Sequence, residues 1–193
     1  LPGSGVTTII GNLAVAMHAV GHSVCVIDAN FRRPRLARSF GFEADQRGLG
    51  DVLADTITLE SAIQMTDDGI SVIAAGSTET RMVERLSDDR FGSVMASLRS
   101  KFNYVLVDVA PAVAATDAIQ VAGRCDASAL IIRAGQEQRG LVARITRELS
   151  EANAVFIGGI LNRPRQSVGG YFRRNYELMA SYGQEDEDTE DDS

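Results

Sequence analysis

Two five-residue apolar runs in this chain close on an acid: Val24-Cys25-Val26-Ile27-Asp28 and Tyr104-Val105-Leu106-Val107-Asp108. A strand that reads as an almost unbroken hydrophobic run has both faces covered, as in parallel sheets, where crossover connections lay helices on both sides. In such sheets the ligand crevice lies outside the carboxyl ends of the strands. Asp28 and Asp108 are therefore expected at the mouth of a crevice. Further strand-like runs are read at residues 70–76, 127–133 and 154–162. Helical spacing is read over residues 6–20 (Ile9, Ile10, Leu13, Met17, Val20), 80–100 with a break near Ser87, and 136–152, and short helices near residues 48–53 and 59–65. Strand and helix alternate throughout. The expected fold is α/β, with a mostly parallel sheet and helices on both faces.

The chain opens on Gly3-Ser4-Gly5-Val6-Thr7-Thr8 and runs directly into the first helical stretch. Glycines let a backbone wrap closely around a phosphate and turn its N–H groups inward. The helix that follows aims its N-terminal dipole at the same anion. The full motif is G-x-x-x-x-G-K-[ST], with a lysine for the outer phosphates and a hydroxyl for Mg²⁺. Gly5 and Thr7 fit it, and Val6 stands where the lysine belongs. By itself, a Gly-x-Gly turn ahead of a helix is also a plain helix cap. The two acids at strand ends raise it to a candidate site, because two carboxylates facing a glycine loop and a threonine are the parts that hold hydrated Mg²⁺ against a nucleotide's phosphates. Such a loop is fed by a strand, and Leu1 already lies in the loop. The central strand is therefore expected upstream of this sequence.

With 193 residues, 45% hydrophobic and 23% charged, the chain suits one soluble domain. No apolar run approaches the ~20 residues of a membrane helix. The net charge of −7 argues against general nucleic-acid binding. Seven carboxylates between residues 185 and 192 equal that whole charge. That run is expected to be a solvated, disordered tail over residues 183–193. Lys101 is the only lysine and reads as a surface residue. Cys25 and Cys125 fit no metal spacing, and read as buried thiols of a reducing compartment. His18 and His22, the only histidines, read as surface or helix-end residues.

Several segments taken together resemble the cytoplasmic kinase domain of the bacterial tyrosine kinases that partner polysaccharide co-polymerases, within the wider MinD and ParA-like group of P-loop ATPases. They are Pro2-Gly3-Ser4-Gly5-x-Thr7-Thr8, Val26-Ile27-Asp28-Ala29-Asn30-Phe31-Arg32-Arg33-Pro34-Arg35-Leu36 and Gly48-Leu49-x-Asp51-Val52-Leu53. Further along come Phe102-x-Tyr104-Val105-Leu106-Val107-Asp108-x-x-Pro111, Thr116-Asp117-Ala118, Arg133-Ala134-Gly135 and Gly158-x-x-Leu161-Asn162. The Ile-Asp-Ala-x-x-Arg-Arg-Pro segment is the most specific of these. The resemblance implies a P-loop domain over residues 1–164, a tyrosine-bearing segment over 165–182 and the acidic tail. It implies that Gly3, Ser4, Gly5, Val6, Thr7, Thr8 and Arg133 contact ATP or ADP. It implies that Thr7, Asp28 and Asp108 hold Mg²⁺, with Asp28 and Asp108 catalytic and Asp28 placed to act as a base. Tyr171, Tyr176 and Tyr182 stand where the family carries its autophosphorylated tyrosines, or else simply dock a terminal helix. The implied partner is a membrane polysaccharide co-polymerase or chain-length regulator, at the inner face of the plasma membrane, with a possible homo-oligomer and no nucleic acid.

Three departures set the chain apart: Val6 for the lysine, Asn30 for the second acid of an Asp-x-Asp pair, and a thinned tyrosine cluster. They separate three readings. One is a degenerate kinase-like module regulating exopolysaccharide or capsule synthesis and export. Another is an active autokinase in which an arginine such as Arg32 or Arg133 replaces the lysine. The third is a MinD or ParA-like ATPase with another client.

Overall fold

A computed structural model describes residues 3–43, 47–78, 84–112, 117–136, 138–152 and 154–162. Within them the chain runs α1 (Val6–Ala19), β1 (Val24–Asp28), α2 (Leu36–Ser39), α3 (Leu49–Leu53), α4 (Leu59–Ala62), β2 (Ile63–Met65) and β3 (Ser71–Ile73). It continues with α5 (Asp89–Arg99), β4 (Tyr104–Asp108), α6 (Asp117–Ala122), β5 (Ser128–Arg133), α7 (Arg139–Glu151) and β6 (Phe156–Asn162). The candidate tyrosines Tyr171, Tyr176 and Tyr182, and the acidic run, lie outside the described residues.

The strands form a four-stranded sheet in the order β2-β3-β1-β4 and a two-stranded sheet of β5 and β6. β1 pairs in parallel with both β3 and β4, in a register that sets Asp28 beside Asp108. β5 and β6 are also parallel, and β2 alone runs antiparallel, on β3. The expected mostly parallel α/β architecture is thus present, in two pieces rather than one sheet. Among the described residues no strand joins β4 to β5. Each therefore has a ladder partner on one edge only. This explains why their apolar residues are only partly covered, with Tyr104 at 41% exposure, while every residue of β1 is buried.

Alternation along β1 builds the core. Val24 and Val26 point to one face, where they meet Ala14 of α1, Leu36 of α2, Ile70 and Val72. Cys25 and Ile27 point to the other, where they meet Leu49 and Leu53 of α3, Ile73, and Phe91, Met95 and Leu98 of α5. Each fully buried side chain of this kind contributes about 1.5–3 kcal/mol of transfer free energy. Burial pushes the Cys25 thiol up to about 12, so it stays protonated and inert. A third, smaller cluster of Ala122, Ile145, Leu149 and Ala154 packs α6 and α7 against the second sheet.

One element differs from the sequence expectation. Residues 59–65 were expected as one helix, but after four residues the chain turns into β2. Thr58 caps the short helix by accepting from the Ser61 amide at 3.3 Å. Ile63 then finds a ladder partner in Ile73. One helical turn has little stability of its own, so strand pairing wins. Over residues 80–100, Glu84 and Arg85 are helical, residues 86–88 turn, and α5 begins at Asp89, which agrees with the expected break near Ser87. Lys101 forms a surface ion pair with Glu60 at 2.5 Å. His22 packs edge-on against Tyr104 just beyond the end of α1. No described helix is long and apolar enough to cross a membrane.

Candidate functional site

The carboxyl ends of β1, β4 and β6 converge on the loop that opens α1. Gly3 and Gly5 both take left-handed backbone angles, φ +80° and +90°, which side-chain-bearing residues adopt at a cost. Gly5 is the residue from which α1 springs, and its carbonyl accepts from the Ile9 amide at 3.0 Å. Asn162, the last residue of β6, donates its side-chain amide to the Ser4 carbonyl at 2.7 Å. A Cβ on Gly5 would come within 2.4 Å of that same nitrogen. Gly5→Ala is therefore expected to break the tie between loop and β6. The left-handed angle alone costs about 1–2 kcal/mol, before any contact is counted. A fall in the urea midpoint of that size or larger, read by circular dichroism, checks it; an unchanged midpoint would show that the loop is not held this way.

Thr7, in the first turn of α1, donates its hydroxyl to Asp108 Oδ2 at 2.6 Å. The other Asp108 oxygen, Oδ1, is buried and has no hydrogen-bond partner among the described residues, and the Ser4 hydroxyl is in the same condition. Burial pushes the Asp108 carboxyl up to about 6, with the Thr7 hydroxyl opposing and the nearby Asp28 charge adding to the rise. Unpaired buried oxygens carry a full desolvation cost, so this corner of the site lacks positive charge or donors. Its donor set, a threonine hydroxyl and a carboxylate, suits Mg²⁺, a hard cation that takes one or two protein oxygens and completes its shell from water and phosphate. Thr7 and Asp108 are the residues that would hold it. A bound Mg²⁺ would neutralise phosphate charge.

Asp28 is used differently. Its Oδ1 accepts from the Asn30 amide at 3.0 Å, and its Oδ2 accepts from the amides of Arg35 and Leu36, both at 2.9 Å. Burial raises this carboxyl as well, and the three amides pull it back. Asp28 thus folds its own arginine-rich loop into place. Asn30, at the position of the missing second acid, does the same on a smaller scale, accepting from the Arg33 amide at 3.2 Å.

The remaining expected residues fall on either side. Val6 is the first residue of α1 and is half-buried beside the loop. Thr8 is exposed and lines a cavity of about 420 Å³ with Asn12, Ser39, Thr66 and Asp67. Arg133 ends β5 in register with Asn162, so it lies next to the strand end that holds the loop. Arg32 reaches Asp117 at 3.5 Å, and the Asp117 side chain is 6% exposed.

Two residues at the site carried no assigned role in the sequence. Asn162 tethers the loop, and Asp117 anchors Arg32. Both stood in the segments of resemblance, Gly-x-x-Leu-Asn and Thr-Asp-Ala, but a side chain 158 residues away from its partner leaves no periodic signal.

A glycine loop that feeds a helix, a threonine hydroxyl bonded to a strand-end aspartate, and a second acid on the adjacent parallel strand define a P-loop domain. The family described as cellulose biosynthesis protein BcsQ matches residues 2–158. The tyrosine-protein kinase CpsD of Streptococcus pneumoniae is 27% identical over 183 residues, 94% of this chain and 80% of that protein. The kinase domain of the Escherichia coli tyrosine kinase ETK superposes with a TM-score of 0.83 at 28% identity, over 89% of this chain and 68% of that one. MinD from Pyrococcus horikoshii, complexed with Mg-ADP, shares the fold with a TM-score of 0.71 at 24% identity, over 87% of this chain and 69% of that one. The chain belongs to the P-loop family described as cellulose biosynthesis protein BcsQ, and its relatives include bacterial tyrosine kinases.

Proposed function

We infer that this chain is a degenerate tyrosine-kinase-like module, regulating the synthesis and export of an exopolysaccharide or capsule, with ATP-dependent phosphotransfer impaired or absent. The observation that carries the reading is Val6 at the start of α1, next to Thr7, whose hydroxyl holds the buried Asp108. The usual lysine would supply charge there. Removal of one preorganised charge stabiliser costs about 2.7–4 kcal/mol in a transition state, roughly a hundredfold to a thousandfold in rate. Two candidates for replacement are committed elsewhere: Lys101 to Glu60 and Arg32 to Asp117.

In this reading the loop, Thr7 and Asp108 keep the arrangement of a nucleotide site, and Asp28 and Asn162 keep it rigid. The module then acts through its fold and its contacts. The partner is a membrane polysaccharide co-polymerase at the inner face of the plasma membrane, and assembly with further copies is part of the same proposal. Calorimetric titration of Mg·ADP and Mg·ATP into the protein tests it. No heat of binding at millimolar nucleotide is expected. Micromolar binding would overturn the degenerate reading.

One observation favours the active autokinase instead. Arg133 is half-buried beside the end of β6 that holds the loop, and no described carboxylate pairs with it. If Arg133 supplied the missing charge, nucleotide would bind and Arg133→Gln would abolish that binding. Mass spectrometry of Tyr171, Tyr176 and Tyr182 after incubation with ATP would then report transfer.

A further inference from the structure

A cavity of about 430 Å³ opens beyond the carboxyl ends of β1 and β3, on the opposite side of β1 from the phosphate loop's partner Asp108. Arg35, Arg38 and Arg47 stand on its wall, and the backbone of Ala75, Gly76 and Ser77 forms part of its floor. All three arginines are exposed, and none makes a side-chain hydrogen bond or ion pair with a described residue. The two acids of the cavity do not answer them. Asp51 Oδ2 accepts from the amides of Gly48 at 2.9 Å and Ser77 at 3.1 Å. Asp28 is held by the three amides already named. Both carboxylates are turned into the backbone, so the rim carries uncompensated positive charge.

The same chain carries the complement. Seven carboxylates lie between residues 185 and 192, and the rest of the sequence is neutral without them. Twenty-two residues lie between Asn162 and Glu185, a reach of up to roughly 75 Å, ample to return to this face. We propose that the cavity walled by Arg35, Arg38 and Arg47 is a docking site for an acidic peptide, and that its occupant is the carboxylate run of residues 185–192 of the same chain. Arginine suits this role because its fork pairs two oxygens at once and it never loses its charge. The proposal rests on the charge layout and not on whether nucleotide binds.

The test uses the full chain with the acids of residues 185–192 changed to their amides, and a fluorescein-labelled peptide of residues 183–193. Anisotropy is expected to show binding in the micromolar range that disappears at about 0.5 M NaCl, where the Debye length falls to a few ångströms. Adding Arg35→Glu, Arg38→Glu and Arg47→Glu should weaken it about tenfold or more. Because these side chains are exposed and unpartnered, the melt should not change; the corresponding Gln variants supply a milder version of the same loss. The unmodified chain should bind the peptide at least about tenfold more weakly than the amide variant, since its tethered run competes at high effective concentration. Absence of binding to the amide variant, or binding that ignores the arginine changes, would overturn the site. Equal binding by the unmodified and amide chains would overturn the occupant.

Discussion

Val6→Lys is expected to raise the affinity for Mg·ADP by roughly tenfold to a hundredfold, the range of about 1.5–3 kcal/mol for a hydrogen bond to a charged group. Position 6 begins α1, and the loop before it already has the geometry of a phosphate cradle: Gly3 and Gly5 in left-handed conformation, and the Ser4 carbonyl pinned by Asn162. The substitution therefore supplies the charge that the motif places at this position. Calorimetry on both forms measures the gain. An affinity unchanged by the lysine would mean that the cradle itself no longer admits a nucleotide, and the degenerate module would then be a scaffold with no nucleotide dependence.

Asp108→Asn is expected to stabilise the protein at pH 8 and, in the Val6→Lys form, to remove the response to Mg·ADP. The Asp108 carboxyl titrates at about 6 in the folded chain against an ordinary 3.8. An acid whose pKa is raised on folding holds its proton more tightly in the native state. Its charge is therefore a burden to the fold above pH 6, and the burden is lifted as the pH falls from 6 toward 3.8. The shift corresponds to about 3 kcal/mol at pH 8. The amide keeps the Thr7 contact, since its oxygen still accepts the hydroxyl, and it carries no charge to desolvate. Urea midpoints at pH 8 and pH 5 test this. The variant should lead at pH 8, and the gap should narrow at pH 5. Mg·ADP should shift the midpoint of the Val6→Lys form but not that of the same form carrying Asp108→Asn. A variant less stable than the parent at pH 8 would show that the carboxylate is satisfied in a way the unpaired Oδ1 does not suggest.

These two results bear on each other through one buried oxygen. A cation bound between Thr7 and Asp108 would lower the cost of the ionised carboxylate. Without a cation, the acid is an energetic cost retained at a site where binding would recover it. Proteins commonly hold such strain at functional positions.

Much of this was legible in the chain itself. The runs ending at Asp28 and Asp108 specified parallel strands, because no amphipathic strand is built that way; β1 is buried throughout and β4 only in part. Gly3-Ser4-Gly5 ahead of a helical period marked the loop, since only glycine enters those angles cheaply. Val6 in place of lysine is visible as a single letter. What the sequence could not show were relations between distant segments. The turn into β2 after Ala62 depends on a ladder with β3, and the local pattern favours helix. The role of Asn162 depends on Ser4 lying opposite the end of β6. The division of labour between the two acids is likewise tertiary. Asp28 and Asp108 end their strands identically in sequence and stand in register. Asp28 is surrounded by amides of its own loop, and the Asp108 carboxylate meets one hydroxyl among the described residues. Local propensity and periodicity determined the elements and their polarity; the packing of strand ends around one loop decided which carboxylate is structural and which is left with an oxygen to offer.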